Sequence, residues 1–257
     1  MPMNKPLLFI IAILLTACDQ HTKPHYILDD SPIYHYQGGD QLRYNVLDIS
    51  SNSGEDTLGV YSLNFNNTTQ LRPSASFQTV DDSFSSNENF SPPFITRHIT
   101  YNNEGDMELT AITTGGELFW LTEDKVTSSA ILYFAHTEET PKSYSTSRTL
   151  QSCDANNCEN SGEITVEYAY KGSELAKTPY ADFDTHIISV NIEINITPNA
   201  LSSTDKLYRL SGTEWVYPLL GVVKYEYDVT NGFDQLRLIG HLSQTNINIP
   251  EALIQSE

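Results

Sequence analysis

The sequence predicts an all-β protein, built as a single antiparallel sheet curved into a half-barrel or partly closed barrel. Three observations carry this. Apolar and polar residues alternate in short runs along most of the 257 residues, the period of a strand with one buried and one wet face. Clusters of Gly, Asn, Asp, Ser and Pro, all turn formers, separate the runs. No window carries an apolar stripe at helical spacing; residues 173–177 are the only short helical candidate, and they lack length. Hydrophobic residues make up 39% of the chain, with Tyr reaching 15, enough apolar material for a packed core.

The chain opens MPMNKPLLFIIAILLTACDQ. Lys5 supplies a positive charge, and residues 7–15 form an unbroken apolar run. That run is shorter than the roughly 20 residues a bilayer span needs, but it has the length of a signal-peptide core. Leu15-Thr16-Ala17-Cys18 follows and resembles the bacterial lipobox, in which the cysteine becomes the first residue of the mature chain. The resemblance implies a cleaved signal peptide at 1–17. It also implies a diacylglyceryl group on the Cys18 sulfur and an acyl group on its amine. Each buried methylene contributes about 0.8 kcal/mol, so several acyl chains anchor firmly. An ordinary secretory signal with an incidental Cys18 is the alternative. Asp19 followed by Gln20 resembles the enteric inner-membrane retention signal; where that signal is not read, the outer membrane is the destination. Residues 18–32 then read as a lipidated, flexible polar tether, and residues 33–257 as one β-rich periplasmic domain.

The strands follow in order. Residues 41–49 place Leu42, Tyr44 and Val46 on one face, and residues 57–65 place Tyr61, Leu63 and Phe65 together. The turn material at 50–56 makes the two a hairpin. Residues 66–93, rich in Asn, Ser and Asp and ending at Pro92-Pro93, read as a long loop with at most one short strand. Residues 95–102, 107–113, 117–122 and 130–136 form a meander. Residues 143–151 and 163–170 pair with each other. In 184–196, His186, Ile188, Val190, Ile192, Ile194 and Ile196 share one face. Ser189, Asn191, Glu193 and Asn195 share the other. Residues 206–210, 214–217, 222–229 and 235–242 complete the sheet, with Asn231-Gly232 as the last turn.

With Cys18 assigned to lipid, Cys153 and Cys158 remain as an even pair inside QSCDANNCENSG. In an oxidising compartment they predict a local disulfide between two strands. A loop so short removes little unfolded-state entropy, so the bond serves local rigidity. A metal pair is the weaker reading, because no second Cys pair or nearby His completes four ligands. A Ca²⁺ site from Asp154, Asn156 and Glu159 is weaker still.

Three segments share a further likeness: Gly38-Gly39-Asp40-Gln41-Leu42-Arg43-Tyr44, LAKTPYADFDT at 175–185, and GTEWVYPLLGVVKYEYD at 212–228. They resemble the GDxWxY, vPxGxF and WYxPgxGxVK segments of uncharacterised bacterial envelope lipoproteins. Ala181-Asp182 stand where Gly and a small hydroxyl residue are usual, and Leu42 replaces the first aromatic. The resemblance implies a half-barrel-like periplasmic domain and no established activity. Read from the residues alone, Pro179 suits a turn and Phe183 plugs the following strand. Trp215 and Tyr217 alternate onto one face, Pro218 stops the run, and Gly221 permits a tight re-start. These six form an aromatic corner that is architectural; a ligand platform is the rival.

The chemistry searched for is sparse. Lys+Arg number 14 against 33 Asp+Glu, a net charge of −19, which excludes a nucleic-acid partner. Removing Lys5 with the leader makes the mature chain one unit more negative. No G-x-S-x-G, H-E-x-x-H, G-x-G-x-x-G, Walker A or C-x-x-C occurs. Ser203 to Lys206 fits S-x-x-K with no companion motif. The seven histidines show no ligand spacing, and the adjacent acidic pairs sit in turns. No catalytic residue, metal or cofactor is therefore expected. The leading expectation is a non-enzymatic membrane-anchored lipoprotein that binds a partner or maintains the envelope. A periplasmic carrier of lipid or another hydrophobic ligand is the alternative, since a curved sheet can shelter acyl chains. A carbohydrate- or peptidoglycan-acting enzyme would need two convergent carboxylates or a Ser/His pair.

Overall fold

The computed structural model describes residues 23–28, 34–49, 56–72, 75–86, 95–101, 107–114, 116–122, 131–134, 143–154, 156–231 and 235–254. The leader 1–17, Cys18, Asp19 and Gln20 lie outside them. The strands are β1 (His25–Tyr26), β2 (Gln41–Asp48), β3 (Asp56–Arg72), β4 (Ala75–Ser86), β5 (Thr96–Tyr101), β6 (Met107–Thr114) and β7 (Glu117–Thr122). They continue with β8 (Ile131–Phe134), β9 (Tyr144–Cys153), β10 (Cys158–Lys177), β11 (Asp182–Ile196), β12 (Lys206–Tyr217), β13 (Gly221–Thr230) and β14 (Gln235–Thr245). Among the described residues there is no α-helix, and one short 3₁₀ turn spans Glu251–Leu253.

The strands form one sheet in the order β11-β10-β9-β7-β6-β5-β4-β3-β2-β14-β13-β12, and β12 pairs back onto β11. Every pairing is antiparallel except β1 on β11. The sheet is thus a nearly closed barrel, which leaves few unpaired edges. Its thin seam lies between β4 and β5, which share the single register pair Gln78↔Ile99. His98 of β5 reinforces the seam. The Val80 N–H on β4 donates to its Nδ1 at 3.2 Å, so the proton sits on Nε2 and goes to Thr113 Oγ1 at 2.6 Å.

The long strand β11 alternates as the sequence indicates. Ile188, Val190, Ile192, Ile194 and Ile196 are buried, while Asn191, Glu193 and Asn195 are exposed. Cys153 and Cys158 are register partners at the tip of the β9–β10 hairpin. Their Cα atoms are 4.1 Å apart and their sulfurs are bonded. Asp154 accepts the N–H groups of Asn156 and Asn157, both at 2.7 Å, and these bonds hold its carboxyl below the usual range.

Two expectations are corrected, at residues 66–86 and 206–217. Residues 66–86 are not a loop: β3 continues to Arg72 and pairs with β4. The apolar positions there are sparse, but Phe65 and Val80 are register partners and both are buried. Residues 173–177, too short for a helix, are strand: β10 runs on to Lys177 through a bulge at Tyr170/Gly172. Residues 206–217 are one strand, not two. Gly212 lets it pass β13, since a Cβ there would meet the Glu226 carbonyl oxygen at 2.0 Å. Within residues 18–32, His25 and Tyr26 pair with Asp182 and Phe183 of β11. The β1 backbone is also tied to the chain's other end: the Ile27 N–H donates to the Leu253 carbonyl at 3.0 Å.

Candidate functional site

Inside the barrel lies a cavity of about 120 Å³. Its wall is mostly apolar, with Leu42, Ile99, Leu109, Ile112, Ile164 and Ile192 among the contributors. Barrels with many strands enclose such space because side chains reaching inward no longer meet. Six tyrosines, Tyr36, Tyr44, Tyr61, Tyr208, Tyr225 and Tyr227, and one cation, Arg97, complete the polar part of the wall.

The polar groups converge. Arg97 Nη1 lies 3.0 Å from Glu214 Oε1, and the Glu214 side chain is only 1% exposed. The Tyr227 hydroxyl donates to the same carboxylate oxygen at 2.6 Å, and Arg97 Nη2 reaches that hydroxyl at 3.4 Å. The Tyr44 hydroxyl donates to the Val222 carbonyl at 2.7 Å, and the Tyr61 hydroxyl to Asp82 at 3.3 Å. Tyr225 stacks on Tyr227 with ring centroids 4.5 Å apart, and Tyr44 tilts against it at 5.7 Å. Its ring lies over Gly240, where a Cβ would meet it at 2.0 Å. The Tyr225 hydroxyl is buried and has no hydrogen-bond partner among the described residues. Burial pushes the Tyr44, Tyr61, Tyr208 and Tyr225 phenols far above their ordinary range, so they remain neutral donors. The Arg97 charge offsets part of that rise at each.

The aromatic corner lies on the other side of the same strands. Val216 lines the cavity, so the flanking Trp215 and Tyr217 face away from it. Phe183 stands 5.1 Å from Tyr217 and 5.3 Å from Tyr26, ring to ring. The Tyr217 hydroxyl donates to the Ile27 carbonyl at 3.2 Å. The Trp215 indole N–H donates to Glu174, and Lys224 Nζ sits 4.0 Å over its ring. Pro179 lies in the turn that Thr178 closes onto Ala181, with Oγ1 donating at 2.8 Å. The Leu220 N–H closes the next turn onto the Tyr217 carbonyl at 2.9 Å. Gly221 then adopts φ +72°, and a Cβ there would meet the Tyr36 hydroxyl at 2.3 Å. That hydroxyl donates to the Leu220 carbonyl at 2.6 Å. Pro218 and Gly221 therefore belong to both regions, since each also borders the cavity.

Sequence reasoning singled out the corner residues and offered a ligand-sheltering curved sheet as an alternative, but did not find the polar groups of the cavity. Tyr225 and Tyr227 alternate in VVKYEYDV, and Glu214 occupies the inward phase of β12. A carboxylate at an apolar phase was the available signal. Arg97 gave none, because its partner is distant in the chain. In the disulfide loop, where Ca²⁺ was the weakest reading, Asp154 and Glu159 accept from backbone N–H groups, Glu159 from Ala200 at 3.1 Å. Among the described residues no group of three His, Cys, Asp or Glu could hold a metal ion. His186, at the head of its apolar face, is half-buried with Tyr170 edge-on at 5.6 Å, and burial lowers its basicity.

The chain is similar to a crystal structure from Bacteroides fragilis described as an exported protein with a YmcC-like fold. The likeness covers 84% of this chain and 99% of that one, at 14% identity and a TM-score of 0.42. It is also similar to a protein of Parabacteroides distasonis described as a lipoprotein. There the cover is 84% of this chain and 100% of that one, at 16% identity and a TM-score of 0.40. No family model and no curated protein matches the sequence.

Proposed function

We propose that this chain is a lipid-anchored protein of the bacterial envelope that binds an apolar ligand inside its barrel, by binding alone and without turnover. The observation that carries the reading is the cavity: about 120 Å³ of space behind an apolar wall with a few convergent polar groups, the composition of ligand sites. A core serving stability alone is packed close to crystal density.

The anchoring half of the reading rests on the lipobox-like Leu15-Thr16-Ala17-Cys18 behind its short apolar run. Lys23 is the first described residue, and its ammonium group already reaches the Thr178 carbonyl at 3.2 Å. The chain extends at most about 3.5 Å per residue, so a lipid on Cys18 would hold the barrel close to the bilayer. Asp19 and Gln20 argue for the inner membrane. The acidic body is repelled by anionic headgroups, which leaves the lipid to hold it there.

All described residues lie within 23–254, so the chain from residue 18 onward carries the whole described fold. Nile red titrated into that chain with Cys18→Ser, which keeps its own acyl groups out of the assay, should show saturable one-to-one binding with blue-shifted emission. Val222→Trp, which places an indole at the cavity wall, should abolish the signal while far-UV circular dichroism stays unchanged. A folded parent chain that leaves Nile red dark would overturn the ligand reading. Palmitate labelling should vanish in the full-length Cys18→Ser protein; persistent label would overturn the anchoring.

A further inference from the structure

The cavity wall holds a buried hydroxyl with nothing to bond. Tyr225 is 4% exposed, borders the cavity and has no partner for its Oη among the described residues. A buried polar group left unpaired is costly, and native proteins rarely retain one without a use for it. The neighbouring tyrosines are satisfied: Tyr44 by the Val222 carbonyl, Tyr61 by Asp82 and Tyr227 by Glu214. The vacancy therefore belongs to Tyr225 alone among these four, and a ligand oxygen would fill it.

The charge on that oxygen can be argued too. Arg97 is the only cation among the described residues of the cavity wall, and Glu214 already pairs with it at 3.0 Å. The wall is therefore close to neutral, and an added anion would stand near a buried carboxylate without a free cation to meet it. The whole chain carries −19, which also opposes the approach of anions. A second cation in the ligand has no free carboxylate on the wall to meet either. Hydroxyl or ester-carbonyl oxygen on a long apolar body satisfies every condition.

We infer that the cavity takes an uncharged acyl ester of the acylglycerol class, its acyl chain along the apolar wall and a head-group oxygen on the Tyr225 hydroxyl. This rests on the ligand-binding reading above and adds the head-group chemistry to it. Gly240 is part of the device, because only a residue without a Cβ lets the Tyr225 ring lie where it does.

The test is displacement of Nile red from the Cys18→Ser chain by monoolein or by sodium oleate, which share one acyl chain and differ in charge. Monoolein should compete at least about 10-fold better than oleate, each held below its micelle or bilayer threshold. Tyr225→Phe should weaken monoolein by about 5- to 10-fold relative to any change in Nile red affinity, the size of one hydrogen bond. Equal competition by oleate, or a Tyr225→Phe chain that binds monoolein as well as its parent, overturns the inference while the cavity reading stands. Absence of Nile red binding to the folded parent removes both.

Discussion

Two aromatic clusters sit back to back on β12 and its neighbours, and they are built on opposite terms. On the outer side Phe183, Tyr217 and Tyr26 pack ring against ring, one pair stacked and two tilted, and the Tyr217 hydroxyl is bonded to the Ile27 carbonyl. On the inner side Tyr225 stacks on Tyr227 and tilts against Tyr44, yet they border open space and one hydroxyl is unpaired among the described residues. The chemistry of the side chains is the same. What differs is whether the chain supplies its own cover. The outer cluster is closed by β1, drawn from the N-terminal segment; the inner one is left for something else to close. Aromatic residues on a sheet are thus not diagnostic in themselves; packing and satisfied hydroxyls separate architecture from a binding wall.

Truncations should expose the contrast most strongly. Phe183→Ala removes a fully buried ring from the packed corner and should cost about 3–5 kcal/mol, read by urea denaturation. Ile192→Ala borders space that is already open and should fall at or below the lower end of the roughly 2–5 kcal/mol seen for such changes. Equal losses at the two sites would break the comparison.

Charge comes next. Arg97→Met leaves Glu214 buried without its cation and should destabilise the chain by about 3 kcal/mol. The double change Arg97→Met with Glu214→Leu should recover most of that loss, and failure to recover would mean the pair does more than neutralise itself.

The seam between β4 and β5 is a third region, and it responds to pH. Burial holds His98 at about 4, below the usual 6.5, with Asp82 and Asp81 offsetting part of the effect. The unfolded chain therefore binds a proton that the folded chain refuses. The contribution of His98 is complete above pH 6.5 and is lost as pH falls toward 4, by up to roughly 3 kcal/mol. Urea midpoints should drop across that interval in the parent chain, and His98→Gln should flatten the slope attributable to this residue. An unchanged slope would remove His98 from the seam's account.

The smallest effect is the sharpest. Tyr217→Phe deletes a made hydrogen bond and should cost about 1 kcal/mol. Tyr225→Phe deletes an unmade one and should leave the empty protein unchanged or up to about 1 kcal/mol more stable. The same substitution then carries opposite signs on the two faces of one sheet. Matching signs would show that the Tyr225 hydroxyl is satisfied.

Much of the fold was legible because alternation is local. The long strand β11 could be read from Ile188 to Ile196, and the corner from Pro179, Phe183 and Tyr217, since each signal lies within a few residues. The β3–β4 hairpin was hidden by its turn-former composition, because Thr68 and Gln78 pair in register without an apolar pattern to announce it. The cavity was the least legible part. Arg97 and Glu214 meet only because β5 and β12 face each other across a barrel, and no local pattern encodes that distance. Whether a face is filled or open depends on barrel circumference, which is a property of all the strands together.

The most direct test of the account is native mass spectrometry of the protein isolated from membranes in mild detergent. The account predicts one non-covalent, uncharged amphiphile per chain above the mass of the acylated polypeptide, and its loss in Val222→Trp. A parent chain that flies only at the bare acylated mass, with the same spectrum as Val222→Trp, would contradict it.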